Sequence, residues 1–459
     1  MAEFDLVVIG SGPAGQKAAI AATKLGKRVA IVEKTELVGG TCISQGTIPS
    51  KTLRESVLYL AGTSQREIYG ASYRVKDKIT MADLMLRTGH VIRNEIQVVR
   101  NQLQRNDVEV VVGAASFIDA HRLMVTGNDT MRVLETDKVV IACGTYPAQP
   151  PGVQFNGTNI LNSDDLLKIR DLPKTMTVVG AGVIGTEYAT MFQVLGVRVT
   201  LVDGRERPLD YVDDEIEDVL MYHMRDEGII MRFGEHITNI TPTAEGRVHM
   251  DTHTGKQLTA DCVLFAAGRQ GNTTSLNLGG AGLEADDRGR IKVDATYRTS
   301  VDNIYAAGDV IGFPSLASTS MEQGRLAASH AFGCVSSHVS STLPFGIYTV
   351  PEISMVGPTE QKLTEQKVPF ETGRARYREL ARGQIIGDSR GILKIIFHRE
   401  TKKLLAVHIL GEGATELIHI GQAVMAHDGS VEYFRDAVFN YPTLAEAYKV
   451  AAHNGLNKL

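Results

Sequence analysis

The chain has 459 residues, roughly three domains' worth, with 43% hydrophobic and 22% charged residues and a net charge of −5. That composition supplies a sizeable core and excludes a disordered chain, and 48 basic against 53 acidic residues give no excess for binding nucleic acid. No apolar run reaches 18 residues and no basic stretch precedes the first apolar one, so neither a membrane span nor a signal peptide is expected, and the chain reads as cytoplasmic.

Phe4–Ile9 reads as a buried strand. Gly10, Gly12 and Gly15 follow in a Gly-x-Gly-x-x-Gly loop, then a helix to Leu25 and a strand Arg28–Val32 ending at Glu33. In this arrangement the first glycine makes a tight turn, the second lets backbone approach a pyrophosphate, and the third lets helix and strand pack. The acid at the next strand end suits an adenosine ribose. A long amphipathic helix is predicted over Met81–Asn106, and Val139–Gly144 reads as an apolar strand ending in glycine. The whole unit then returns 170 residues on. Strand Thr177–Val179 leads to Gly180, Gly182 and Gly185, a helix to Leu195, and a strand ending at Asp203. Asp203 suits the free 2'-hydroxyl of NAD, while Arg205 and Arg207 just beyond suit the 2'-phosphate of NADP. Val263–Gly268 is another apolar strand ending in glycine. Ile304–Gly312 runs a strand into Gly308-Asp309, where a carboxylate can hold a ribityl or phosphate-side hydroxyl. The tail alternates strands (Ile392–Phe397, Leu404–Leu410) with a helix (Ala414–Ala426).

Two dinucleotide units in one chain imply a flavin plus a nicotinamide nucleotide. The expected class is α/β, with two doubly wound dinucleotide-binding domains and an α+β C-terminal dimerisation domain. Proline and loop positions divide the chain into 1–148 (FAD-binding), 149–272 (NAD(P)-binding), 273–343 (a further FAD-binding segment) and 344–459 (dimerisation). The four cysteines, Cys42, Cys143, Cys262 and Cys334, form no close pair, which excludes a disulfide scaffold and a CxxC zinc site. The 13 histidines show no HExxH or HxH spacing, so no metal is expected.

Four stretches carry a family resemblance: Gly39–Lys51, Pro314–Ser318, Gly346–Ile353 and Phe439–Glu446. On them the chain resembles the pyridine-nucleotide disulfide oxidoreductases, FAD flavoproteins, and within these the soluble transhydrogenases. The disulfide reductases carry Cys-x4-Cys in the first stretch; here Cys42 is followed by Thr47. They also carry His-x-His-Pro near the C-terminus; here those places hold Phe439 and Tyr441, and tyrosine is a poor base near neutral pH. The resemblance therefore implies no thiol chemistry. It implies hydride transfer between NADPH and NAD+, in either direction, by a ping-pong mechanism through FAD.

The resemblance also implies residue roles. Lys51 and Glu187 form an ion pair beside the flavin N5. Gly40, Thr41, Cys42, Ala115 and Ala317 join Gly10, Gly12, Gly15, Glu33, Lys51 and Asp309 on the flavin side. Ile184 and Gly268 join Gly180, Gly182, Gly185, Asp203 and Arg205 on the NAD and NADP side. Tyr441 and Glu446 complete a partner's flavin site, which implies a homodimer or higher oligomer. Two rival functions stand beside this: an NAD(P)H diaphorase or quinone reductase, and a nucleotide-responsive flavoprotein scaffold.

Overall fold

The apolar run Phe4–Ile9 forms a central strand of a seven-stranded sheet. Its parallel part runs Glu109–Val112, Val29–Glu33, Phe4–Ile9, Met131–Ile141, Ile304–Ala306. Phe4–Ile9, Val29–Glu33, Ile304–Ala306 and the Val139–Ile141 end of the long strand are buried and read as apolar runs, whereas the edge strand Glu109–Val112 is largely exposed. The long strand Met131–Ile141 also pairs antiparallel with Arg122–Thr126, which pairs with Ala114–Phe117. The computed structural model describes residues 2–70, 72–334 and 342–459. This sheet belongs to the first of two units, made of the described residues of Met1–Leu53, Met85–Pro150 and Gly268–Ser340.

Helices Pro13–Lys24 and Ala317–Ala331 pack against one another in this unit. Ala14, Ala18, Ala19 and Ala22 meet Ala327, Ala328 and Ala331 in one core. Small side chains on both helices permit the close approach; at its tightest point a Cβ on Gly324 would fall 2.0 Å from the Ala14 carbonyl oxygen. The helix predicted over 81–106 spans Met81–Arg105 and buries Ile96, Val99 and Leu103 in the same core.

The second unit comprises Arg54–Leu84, Pro151–Ala267 and the described residues of Ser341–Leu459. It contains a five-stranded parallel sheet in the order Ile230–Phe233, Arg198–Asp203, Thr175–Val179, Cys262–Phe265, Ile160–Asn162. The predicted strand Thr177–Val179 starts two residues earlier, at Thr175, whose hydroxyl accepts the Asp261 N–H at 2.9 Å. A three-stranded antiparallel sheet, Ile237–Pro242, Val248–Thr252 and Gln257–Ala260, precedes its fourth strand in the chain. The tail forms a five-stranded antiparallel sheet in the order Phe345–Ile347, Ile353–Val356, Leu404–Leu410, Ile392–His398, Phe370–Arg376. Helices Ala414–Ala426 and Glu446–Leu456 bury Ile418, Ala447, Tyr448 and Ala451 in its core. The α/β class and the α+β tail are as the sequence indicates. The segment Arg54–Leu84 grouping with the second unit had no signal in the sequence.

Candidate functional site: two matched glycine loops

The two glycine loops are shaped by the same contacts, offset by 170 residues. Gly10 has φ 101° and Gly180 φ 106°, left-handed values that strain any side chain. A Cβ on Gly10 would also fall 2.4 Å from the Ala142 carbonyl oxygen, and one on Gly180 2.6 Å from that of Ala266. The third glycines are crowded from within the loop. A Cβ on Gly15 would lie 1.9 Å from the Gly10 oxygen, and one on Gly185 1.8 Å from the Gly180 oxygen. The middle glycines differ in kind. Around a Cβ on Gly12 or Gly182 there is no heavy atom within 4 Å, and their φ values of −65° and −79° are ordinary. Nothing in the chain requires glycine there; open space does. Each middle glycine is the N-cap of a 12-residue helix, Pro13–Lys24 or Val183–Val194, with no side-chain cap. The uncapped N–H groups and the helix dipole face that space, which fits an anionic pyrophosphate.

The strand-end carboxylates brace these loops. Glu33 Oε2 accepts the Ser11 N–H at 3.0 Å and its Oγ–H at 2.6 Å. Ser11 Oγ in turn accepts the Gly39 N–H at 2.9 Å, joining the first loop to the segment that carries Gly40, Thr41 and Cys42. Glu33 Oε1 has no protein hydrogen bond among the described residues, which leaves an acceptor for a ribose. In the second unit Asp203 Oδ2 accepts the Ala181 N–H at 2.6 Å. Ala181 stands where the first loop has Ser11 and offers no hydroxyl. The rest of the Asp203 carboxylate is taken by Arg205, through its N–H at 2.8 Å and its guanidinium at 2.9 and 3.1 Å. Burial raises the Asp203 carboxyl, but these bonds outweigh it and hold it below the usual range. Arg205 also reaches Asp210 at 3.0 Å. The NAD-type and NADP-type signals of the sequence are therefore one ion pair. Arg207 turns elsewhere, to Glu217 Oε2 at 2.9 Å and Asp218 Oδ1 at 2.6 Å. That corrects its reading as a phosphate ligand: a buried carboxylate has already claimed it.

On the first unit the remaining residues converge. Gly40 (φ 64°) packs on Gly12, where a Cβ would lie 2.8 Å from the Gly12 Cα. It begins the five-residue helix Gly40–Ser44. The Cys42 sulfur is hydrogen-bonded by the Thr47 side chain. Burial pushes the Cys42 thiol up, opposed by Thr47 and by the nearby Lys51 charge. Lys51 Nζ donates to Ser50 Oγ at 3.4 Å. Asp309 follows strand Ile304–Ala306 and accepts from Thr145 Oγ1 at 3.4 Å. Burial pushes its carboxyl up, against the Arg269 charge and the Thr145 and Ser320 hydroxyls. Ala115 is buried in strand Ala114–Phe117, and Ala317 opens helix Ala317–Ala331. Gly268 has φ 111° and open space at its Cβ position.

On the second unit Glu187 is 3% exposed, and its Oε1 accepts the Tyr348 N–H at 2.8 Å. Thr190 Oγ1, one helical turn on, accepts the Val350 N–H at 3.1 Å. The helix Val183–Val194 that begins at the glycine loop thus grips the Gly346–Ile353 stretch. Ile184 is half-buried in its first turn. Tyr441 is exposed, and Phe439 packs on the core of the tail.

Three residues escaped sequence reasoning. Ser11 is a variable position of the glycine motif; its link to Glu33 needs the fold. Arg269 donates to Thr145 Oγ1 and O, both at 2.8 Å, beside Asp309. Its signal was position, one residue past a strand-end glycine. Arg54 is buried, donates to the Thr349 carbonyl at 3.0 Å and lies 3.6 Å from Glu352. A buried charge shows no periodic signal in a helix.

These residues fit a dinucleotide on each unit, since each offers a helix end with vacant N–H groups and a carboxylate at the next strand end. Comparison with known proteins agrees. Residues 4–324 match the family described as pyridine nucleotide-disulphide oxidoreductase, and residues 343–452 match its dimerisation domain. A soluble pyridine nucleotide transhydrogenase of Mycobacterium bovis is 57% identical over 100% of this chain and 98% of its own length. One from Colwellia psychrerythraea is 45% identical over 100% and 99%. Among solved structures, LpdA of Mycobacterium tuberculosis superposes with a TM-score of 0.90 at 28% identity, covering 98% of this chain and 99% of that one. The Cu(II) complex of the HOCl-induced flavoprotein disulfide reductase RclA from Escherichia coli gives 0.89 at 28%, covering 99% of each. Among the described residues no helix is long and apolar enough to cross a membrane. By its two glycine loops, its tail and these matches over its full length, the chain belongs to the pyridine nucleotide-disulphide oxidoreductase family, among the flavoprotein oxidoreductases grouped as soluble pyridine nucleotide transhydrogenases.

Proposed function

We propose that this protein transfers hydride between NADPH and NAD+, in either direction, as an FAD-dependent transhydrogenase of the Si-specific type. The two nucleotides use one site in turn, by a ping-pong mechanism without a redox disulfide. Bound FAD would supply the hydride relay; everything else is the work of the chain. The observation that carries the reading is Thr47 against Cys42. A hydroxyl stands where a disulfide reductase needs its second thiol, and burial pushes the Cys42 thiol up.

In this reading Gly10, Gly12 and Gly15 hold the flavin pyrophosphate, Glu33 its ribose and Asp309 its ribityl side. Gly40, Thr41, Cys42, Ala115 and Ala317 line the same site. Gly180, Gly182, Ile184 and Gly185 hold the nicotinamide nucleotide's pyrophosphate, Asp203 and Arg205 its ribose, and Gly268 closes on it. Lys51 brings a cation beside the flavin ring, where negative charge develops on reduction, and Glu187 is its ion-pair partner. The division of labour is 1–148 and 273–343 for FAD, 149–272 for NAD(P) and 344–459 for a homodimer interface. The exposed Tyr441 and nearby Glu446 then complete the partner subunit's flavin site.

The test is anaerobic. NADPH is added to FAD-loaded protein until the visible flavin band is lost, and NAD+ follows. Return of the band with formation of NADH is expected. A band that NAD+ leaves unchanged while a quinone restores it would make the protein a diaphorase. No loss of the band on adding NADPH would make it a nucleotide-binding scaffold. Dihydrolipoamide should give no turnover.

A further inference from the structure

Gly204, between Asp203 and Arg205, has no backbone reason to be glycine, since its φ lies outside the left-handed region. The reason is a ring. A Cβ on Gly204 would fall 2.0 Å from Cε1 and 2.2 Å from Nδ1 of His236. The imidazole therefore fills the side-chain position of residue 204, inside the loop that reads the adenosine ribose. Backbone bonds seat it there: the Glu235 N–H donates to the Asp203 carbonyl at 3.0 Å, and the Gly234 N–H to that of Arg205 at 2.9 Å. His253 supports it from the other side. The His236 N–H donates to His253 Nδ1 at 3.2 Å, the His253 N–H to the His236 carbonyl at 3.0 Å, and the two rings lie 4.9 Å apart.

The His236 ring is placed but unused. It is exposed, and neither ring nitrogen has a hydrogen-bond partner among the described residues. Three cations around it are committed to carboxylates, and the Nε of a fourth, Arg232, is buried. Arg205 is held by Asp203 and Asp210, Arg207 by Glu217 and Asp218, and Lys256 by Glu235. A 2'-phosphate brings close to two negative charges to this loop at neutral pH and needs a donor that no carboxylate has claimed. We propose that His236 reads the 2' position, donating a ring N–H to the 2'-phosphate of NADP(H) and leaving NAD(H) unaffected. It is thus a specificity residue on a second strand-end turn, beyond the loop that carries Asp203 and Arg205. The proposal rests on the transhydrogenase reading above for its need to admit both nucleotides.

Calorimetric titration of the FAD-loaded protein with 2',5'-ADP and with 5'-AMP tests it without turnover. The His236→Ala variant should bind 2',5'-ADP about tenfold more weakly and 5'-AMP within about twofold of wild type. Gly204→Ala keeps the imidazole but displaces it, and should shift the two ligands in the same unequal way. His236→Arg should restore 2',5'-ADP to within about threefold of wild type. Equal loss for both ligands, no loss for either, or a wild type that does not prefer 2',5'-ADP overturns the proposal. Failure of the transhydrogenase reading shows separately, as wild-type protein whose flavin NADPH reduces but NAD+ does not reoxidise.

Discussion

The Thr47 side chain acts on the Cys42 thiol, opposing the rise that burial imposes on it, across the short helix Gly40–Ser44 and the start of the next. A thiol at 47 would meet Cys42 at disulfide range. Thr47→Cys should therefore close a disulfide on mild oxidation. Denaturing thiol titration should then find three of five cysteines free, the four native ones plus one less the pair. Wild type should give all four before and after oxidation, consistent with four unpaired cysteines. Five titratable thiols in oxidised Thr47→Cys would contradict this geometry. In wild type the half-buried Cys42 thiol, pushed up, should alkylate slowly at neutral pH and faster as pH rises.

The glycine loops separate folding from binding. Gly15→Ala and Gly185→Ala force a Cβ onto a backbone oxygen and should each cost about 2 kcal/mol or more, read from urea midpoints. Gly12→Ala and Gly182→Ala meet no protein atom and should leave the midpoint unchanged. Their loss is in ligand: Gly12→Ala should retain less FAD on dialysis, and Gly182→Ala should bind nucleotide more weakly.

Much of this was legible in the sequence. The two loops, their strands and their acids are periodic and local, so Gly10 through Glu33 and Gly180 through Asp203 could be placed residue by residue. The tail helix Ala414–Ala426 has the bounds read from its pattern. What was not legible depends on tertiary approach. Arg205 and Arg207 look alike on paper, yet one clamps Asp203 and the other the buried Glu217 on helix Asp214–Asp226. Ser11 and Ala181 occupy a position the motif leaves free, and only the fold shows that one adds a hydroxyl to its carboxylate. Lys394 sits in an apolar strand and gave no signal of its role.

Lys51 should act on rate rather than on flavin binding. Lys51→Ala is expected to keep its FAD and to slow flavin reduction by NADPH about a hundredfold in stopped flow. Unchanged reduction would remove Lys51 from the site.

Arg205 should act on affinity. Arg205→Ala removes the guanidinium and its two bonds to Asp203, whose carboxylate stays held by the backbone N–H groups of residues 181 and 205, so NADPH should weaken about tenfold while NADH stays within about threefold. Steady-state KM values for the two nucleotides read this directly, and equal changes would count against it.

Lys394 is a fully buried ammonium in strand Ile392–His398, 2.7 Å from Asp213, 3.1 Å from Glu215 and 2.5 Å from Glu360. Those three carboxylates lie close enough to suggest a cation site, and the lysine is the cation there. Burial lowers the ammonium, but Asp213 and Glu360 outweigh it and raise it; burial raises Asp213 and Glu215, but their cationic neighbours outweigh it and lower them. The carboxylates therefore stabilise the fold above about pH 4, and that contribution is lost on acidification below it. The ammonium stabilises below about pH 10, and its contribution is lost above. Lys394→Met should cost about 3–5 kcal/mol at pH 7. The gap to wild type should narrow below pH 4, where the stranded carboxylates protonate. A gap that widens there would refute the pairing.

Asp213 and Lys394 are 181 residues apart in the chain. Strand Ile392–His398 forms its hairpin with Leu404–Leu410 locally, but it cannot bury its lysine until that long loop has closed and brought Asp213 to it. Before then only Glu360, 34 residues away, can meet the ammonium at the centre of this otherwise apolar strand; Asp213 and Glu215 cannot. The pair thus sets the order of assembly: local sheet first, burial last. Lys394→Met removes that checkpoint, so the variant should refold faster to a native state that is less stable.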